Sequence, residues 1–187
     1  ILLGDGWLSK LNYKNKDVWI VGISGNMSLD LKFFYSLKEK IKKLFNRNAY
    51  LKRRPKFNSI ELIFGYKELI KWLNKELKFP IGQKVNLEIN KKIYDLGFKK
   101  VKYVIRGIFD TDGSFYFDKT PVGRPYPCIS IKMKAPILMK QIKDLLLTQE
   151  FRLTYQNVGD QQQIKLKGSK QLKKWMTEIG SSNNRHL

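Results

Sequence analysis

The sequence repeats itself. KELIKWL at Lys67–Leu73 lines up with KQLKKWM at Lys170–Met176, and Lys67/Lys170, Leu69/Leu172, Lys71/Lys174 and Trp72/Trp175 are identical at one constant offset. ILLGDG, ending at Gly6, echoes GIFDTDG, ending at Gly113, at a slightly larger offset that loops would absorb. A repeat on this scale restricts the architecture strongly, since both copies must lay down the same order of elements.

The periodicities between these anchors agree with a duplication. After Gly6, alternating segments at Trp7–Tyr13 and Asp17–Ile23 predict a hairpin, and Leu29–Phe45 carries apolar residues at helical spacing behind Ser28 as N-cap. Strands at Tyr50–Arg54 and Asn58–Phe64 and a helix at Tyr66–Leu77 follow. The second copy gives a hairpin from Ser114–Asp118 and Tyr126–Lys132, and a helix from Pro136 to Gln149 that starts on a first-turn proline. Strands Phe151–Gln156 and Gln162–Lys167 and a helix Lys170–Ile179 complete it. If the residues ending in DG close a leading helix, each half is αββαββα. That helix is complete in the second half, where Phe98, Val101, Val104, Ile105, Ile108 and Phe109 are spaced for one buried face. In the first half it is expected to lack its beginning, and Ile1 reads as a trimmed or processed end with no signal-peptide features. The expected domains are residues 1–79 and 95–187, joined by a linker, 80–94, containing Pro80 and Gly82; residues 181–187 read as a loose polar tail.

Of 187 residues, 42% are hydrophobic and 13% aromatic, enough for one packed core or two small ones, so a disordered tail is excluded. Lysine and arginine number 37 against 16 acids, a formal charge of +21, which points to a polyanionic partner. No run approaches the roughly 18 apolar residues of a membrane span, and a membrane partner is not expected. The one cysteine, Cys128, excludes an internal disulfide and fits a reducing intracellular compartment, microbial cytoplasm or organelle matrix.

VIRGIFDTDG at Val104–Gly113 resembles the nine-residue signature of the LAGLIDADG homing endonucleases, and ILLGDG resembles its last six positions. Single-chain members of that family carry two such motifs about this far apart, so the resemblance extends over the whole chain. Either motif alone is weak, because DG pairs commonly make plain turns. A calcium-loop reading of Asp110, Asp112 and Ser114 fails, since Pro121 stands where the loop needs its twelfth-position glutamate. The residue types agree with the resemblance: Gly4, Gly107 and Thr111 are small enough for two helices to pack closely, delivering Asp5 and Asp112 side by side. Carboxylates at helix C-termini face the negative end of the dipole, an arrangement that invites a cation.

The resemblance implies an α+β fold with two antiparallel sheets forming a DNA-binding saddle and the motif helices packed at a pseudo-twofold axis. It implies a monomeric, Mg²⁺-dependent endonuclease of intron or intein homing that makes a staggered break in a long, pseudo-palindromic site. Mn²⁺ would substitute, and Ca²⁺ would support binding without cleavage. Asp5 and Asp112, with the carbonyls of Gly4 and Thr111, would hold metal, and Asp110 would be structural. Family members keep basic residues near the metal: Lys132 occupies such a place, its partner in the repeat is Ser24, and Lys10 is either a substitute or a lysine snorkelling from the core face. The alternatives on the same fold are an intron maturase that binds RNA and a non-catalytic DNA-binding regulator; retention of both acids favours cleavage.

Strand parity separates the binding face from the core. Phe115 and Phe117, Ile129 and Ile131, Leu153 and Tyr155, and Ile164 and Leu166 are expected inside. That leaves Ser114, Tyr116, Asp118, Ser130, Lys132, Arg152, Thr154, Gln156, Gln163, Lys165 and Lys167 outward, with Arg124 in the hairpin connection. In the first half Trp7, Ser9, Ser24, Lys52 and Arg54 are the candidates. Amide and basic groups in this pattern suit base edges in the major groove and phosphates.

Overall fold

The computed structural model describes residues 1–186. The chain divides into two compact units, one of Ile1–Val85 with Asn183–Arg185, the other of Asn86–Ser182 with His186.

In the first unit a turn over residues 2–5 leads into β1 (Gly6–Tyr13) and β2 (Lys16–Asn26), followed by α1 (Met27–Phe45), β3 (Tyr50–Arg54), β4 (Ser59–Gly65) and α2 (Lys67–Leu77). The sheet is antiparallel in the order β1-β2-β4-β3. Leu8, Val21, Ile23, Ile60, Leu62 and Phe64 face Phe33, Phe34, Leu37, Ile41 and Ile70 in one core. Helix α1 starts two residues earlier than Ser28 suggested: Asn26 is the cap, its Oδ1 accepting the Ser28 and Leu29 amides at 3.0 Å each, while the Ser28 hydroxyl turns to Asn58. Asn26 wins because its amide side chain reaches both free amides of the first turn.

The second unit opens with a short helix, α3 (Lys91–Tyr94), inside the expected linker, then α4 (Phe98–Asp112), β5 (Gly113–Lys119), β6 (Pro125–Met133), α5 (Pro136–Thr148), β7 (Thr154–Val158), β8 (Gln161–Lys167) and α6 (Ser169–Glu178). Its sheet runs β5-β6-β8-β7, the same order as in the first unit. Val101, Ile105, Ile108 and Phe109 of α4 are fully buried with Ile129, Ile131, Leu138, Ile142, Ile164 and Trp175.

Several expectations change here. Strand β7 begins at Thr154, because the Arg152 amide is taken by Gln171 Oε1 at 3.1 Å and Phe151 is buried beside Trp175. Phe117 lies on the core face but is 65% exposed, its ring edge-on against Phe115. Tyr155, at the sheet edge, is 36% exposed, with the Lys143 ammonium over its ring. As far as His186 the tail is not loose, while Leu187 lies outside the described residues. In the first unit Asn183 Nδ2 donates to Asp30 Oδ1 at 2.8 Å and Arg185 pairs with the same buried carboxylate at 3.2 Å. In the second, Ser181 Oγ and the Ser182 amide donate to Asp110 Oδ1 at 2.6 and 2.7 Å, and His186 packs on Phe109.

The strand ladders also correct the repeat. Gly6 pairs with Ile23 and Ile23 with Leu62, as Gly113 pairs with Ile131 and Ile131 with Ile164. Counting on from these, Lys67 is equivalent to Ser169 and Trp175 to Leu73, one residue out of step with the identity match. Burial agrees, since Trp175 is buried completely and Trp72 is 52% exposed.

Candidate functional site

Helix α4 ends where it does because of Gly113. The Gly113 amide donates to the Phe109 carbonyl and the backbone then turns to φ −85°, ψ 160°, entering β5 at once. A Cβ there would lie 2.1 Å from the Phe109 ring and 2.3 Å from its carbonyl, so no larger residue fits. Asp110 and Asp112, two residues apart, point about 200° apart around the helix. Asp110 is the buried one that anchors Ser181 and Ser182, a structural role. Asp112 stays partly exposed at the helix end, its Oδ2 2.9 Å from the Thr111 hydroxyl.

The first unit makes the same step on a shorter element. The amides of Gly4 and Gly6 donate to the Ile1 carbonyl at 3.0 and 3.2 Å, and a Cβ on Gly6 would lie 2.6 Å from Leu2 Cα. The Asp5 carbonyl accepts the Ser24 amide at 3.0 Å, which ties it to β2. The carbonyl before it, on Gly4, accepts a hydrogen bond from Lys84 Nζ. Asp5 keeps an exposed edge, yet the protein crowding it pushes its carboxyl above the usual carboxylate range, with Asp30 adding to the rise and Lys84 and Arg185 opposing it.

Each sheet carries a second, outward face. In the second unit the ladders align Ser114, Ser130, Lys165 and Thr154 in one row, Lys132, Gln163 and Gln156 in another, and Tyr116, Cys128 and Lys167 in a third, with Asp118 opposite Tyr126. Gln156 Nε2 donates to Gln163 Oε1 at 3.1 Å, and Gln163 Nε2 donates to Ser130 Oγ at 2.9 Å. Ser130 is therefore on the expected face but not open: it is 3% exposed, roofed by Gln163. Arg152 falls outside the ladder, beside Lys167 and the start of α6, and Arg124 sits in the β5–β6 connection, where its amide and carbonyl close on Thr120. Burial and the Asp118 charge push the Cys128 thiol up, so it is an inert packing group on this face.

In the first unit the equivalent rows are Trp7, Gly22, Ile63 and Tyr50; Ser9, Ile20 and Gly65; and Ser24, Glu61 and Lys52, with Arg54 beside Ser59. This face is more apolar. Trp7 covers Gly22, where a Cβ would fall 2.2 Å from the indole, and its Nε1 donates to Ser24 Oγ at 3.3 Å. Glu61, which parity reading passed over, lies centrally and pairs with Arg54 at 3.1 Å. Lys10 lies on the core face, its ammonium 3.0 Å from Asp17 and over Trp19, so it snorkels; Lys84 is the ammonium at Gly4. Spacing gives no hint of Lys84, 80 residues away from Gly4 in a stretch read as linker.

Among the described residues no group of three or more His, Cys, Asp or Glu converges on a metal position, and no helix is long and apolar enough to cross a membrane. A carboxylate, a neighbouring carbonyl and substrate oxygens are nevertheless a sufficient donor set for Mg²⁺, which keeps few protein ligands. The Lys84 ammonium on the Gly4 carbonyl marks that position as one that attracts a cation.

Two four-stranded antiparallel sheets, each with its helices and each led by a DG step, define the fold of the LAGLIDADG homing endonucleases. Among solved structures the chain is similar to I-DmoI in complex with DNA and Mn, at 17% identity and a TM-score of 0.66 over 96% of this chain and 92% of that one. It is similar also to I-SmaMI bound to an uncleaved DNA target in the presence of calcium ions, at 13% identity and a TM-score of 0.67 over 99% and 84%. The LAGLIDADG meganuclease I-AabMI, bound to uncleaved DNA, matches at 10% identity and a TM-score of 0.64 over 98% and 83%. No protein-family profile matches the sequence, and no curated protein does.

Proposed function

We propose that this protein is a divalent-metal-dependent DNA endonuclease of the homing type, making a staggered double-strand break in a long, imperfectly palindromic site. One observation carries the reading: in both units an aspartate, Asp5 or Asp112, ends the element that a mandatory glycine turns straight into the first strand of a four-stranded sheet, whose outer face is polar and basic in the second unit and more apolar in the first. The solved structures of similar fold hold DNA together with Mn or calcium ions, which supports the same partners here. Asp5 with the Gly4 carbonyl, and Asp112 with the Thr111 carbonyl, would hold Mg²⁺, which supplies an activated water and stabilises the leaving oxygen.

The remaining work falls to the chain. The outer rows set register on the duplex, their amides and carboxylate reading base edges while lysines neutralise phosphate. Lys132, next in its row to Gln163, places a positive charge on the face that meets the backbone. The rows of the two units differ, Trp7 and Gly22 standing where Ser114 and Ser130 stand, so the two half-sites read by them differ too.

The test is selection from a randomised DNA library in Mg²⁺ and in Ca²⁺, followed by cleavage assays on the selected site. Asp5→Asn and Asp112→Asn each abolish double-strand cutting and leave affinity in Ca²⁺ within a few-fold, since the acids hold metal and read no bases. Binding should weaken with salt, log K falling by about 0.9 per phosphate neutralised. Near-normal cutting by Asp112→Asn overturns the assignment; selection of structured RNA in place of DNA would favour an intron-maturase role, and DNA binding without cutting a regulator.

A further inference from the structure

The first unit presents a carbonyl and a carboxylate to the same cation. The Asp5 carbonyl is used by the Ser24 amide, so the next one back, that of Gly4, is the oxygen left to an incoming charge. Lys84 Nζ donates to it, reaching across 80 residues of sequence from the segment that follows α2 and runs beside β1, where the Gly82 amide donates to the Leu8 carbonyl at 2.8 Å. Lys84 is half-buried. Asp5, next to Gly4 in the chain, lies within electrostatic reach of the same ammonium. An ammonium is a compact point charge with three donors, the nearest side-chain equivalent of a hard cation.

We infer that Lys84 is a built-in counter-ion of the Gly4–Asp5 site, holding the carbonyl when no divalent ion is bound and withdrawing from it when one binds. The inference rests on the reading that Asp5 and Gly4 hold metal. Lys84 is in this sense a positioning residue: it keeps the two oxygens together and neutralised in the free protein, and it sets how much metal is needed to load the site. Removing the ammonium should therefore move two quantities in opposite directions. The metal-free fold loses a favourable pair, while the metal loses a competitor.

The experiment titrates the full chain with Mn²⁺ alone, without DNA, following free Mn²⁺ by electron paramagnetic resonance, and measures melting in EDTA alongside. The variants are Lys84→Gln, Lys84→Arg and Asp5→Asn; binding lost in Asp5→Asn defines the site. In Lys84→Gln that binding should tighten on the order of three- to fivefold, the scale of one partly exposed charge pair, while the melting temperature in EDTA falls. Lys84→Arg, which keeps the charge, should return both toward wild type. Site binding that is unchanged or weaker in Lys84→Gln overturns the inference and leaves the metal reading intact. Wild-type Mn²⁺ binding indifferent to Asp5→Asn overturns both. Should Lys84→Gln fail to fold, the wild type with ¹⁵Nζ-labelled lysine decides: Ca²⁺ must shift the hydrogen-bonded Lys84 ammonium signal to the position of solvated lysines, and an unmoved signal overturns the inference.

Discussion

The Nε2 amide of Gln163 donates to the Ser130 hydroxyl at 2.9 Å, and its Oε1 simultaneously receives Gln156 Nε2 at 3.1 Å. These residues come from β8, β6 and β7, so one chain of hydrogen bonds crosses three strands of the outward face. Side chains ordered in this way present fixed donors and acceptors and lose little entropy on meeting a base edge. Gln163→Ala and Gln156→Ala should therefore disturb base preference at the same one or two positions, and the double variant should add little to Gln163→Ala, a coupling of roughly 0.5–3 kcal/mol. Preference profiles from library selection measure it; independent, additive changes would show that the two glutamines act separately.

Trp7 sets the corresponding row of the first unit. Its ring rests where a Gly22 Cβ would fall at 2.2 Å. Gly22→Ala should displace the indole, cost about 1–3 kcal/mol by overpacking, and break the Trp7–Ser24 hydrogen bond. Urea unfolding gives the cost, and a change in tryptophan fluorescence reports the displaced ring. An unaltered emission spectrum with unaltered stability would mean the ring moves aside freely.

Asp5 gives a pH-dependent prediction. Its carboxyl is raised above the usual range, mainly by burial, so ionising it opposes folding. That penalty is absent below the unfolded carboxylate range, grows as pH rises through the folded value, and is complete above it. In EDTA, Asp5→Asn should consequently raise the melting temperature near neutral pH and give no gain at about pH 3, where the wild-type group is already protonated. An equal shift at both pH values would assign the effect to packing.

Asp30 tests the tail. It is 3% exposed and receives the Asn26 amide, Asn183 Nδ2 and Arg185. Asp30→Ala should cost about 3–5 kcal/mol, the scale for stranding one partner of a buried pair. Asn183→Ala, which removes one neutral donor to an ion, should cost about 1.5–3 kcal/mol. Denaturant unfolding separates the two, and a loss below 1 kcal/mol for Asp30→Ala would mean the tail contact contributes nothing.

Period-2 and period-3.6 patterns were enough to place nearly every strand and helix, because alternation and helical spacing follow from local geometry that each segment carries with it. The DG steps were legible for the same reason: a residue without Cβ is needed wherever helix passes directly into strand, as Gly113 and Gly6 both show. Parity also placed Trp7, Ser24, Lys52, Gln156 and Gln163 on outward faces, since a strand register admits only two answers. What depends on distant partners was not legible. The KxLxKW identity lies one residue out of structural step, because only the ladders, not the letters, fix which helix position meets the core. Ser130 became a buried hydroxyl because a glutamine on the neighbouring strand closes over it, and the polar tail became ordered because two buried carboxylates, Asp30 and Asp110, take donors from it in addition to those of their own elements. Lys84 at Gly4 is the clearest case, since a hydrogen bond between residues 80 apart leaves no periodic trace. The sequence alone determined the elements, their order and the faces of the strands, all set by contacts within a few residues. The tertiary structure decided which polar groups are covered, which charges are paired and which lysine stands at the candidate metal oxygen, because burial and charge pairing are properties of groups that only folding brings together.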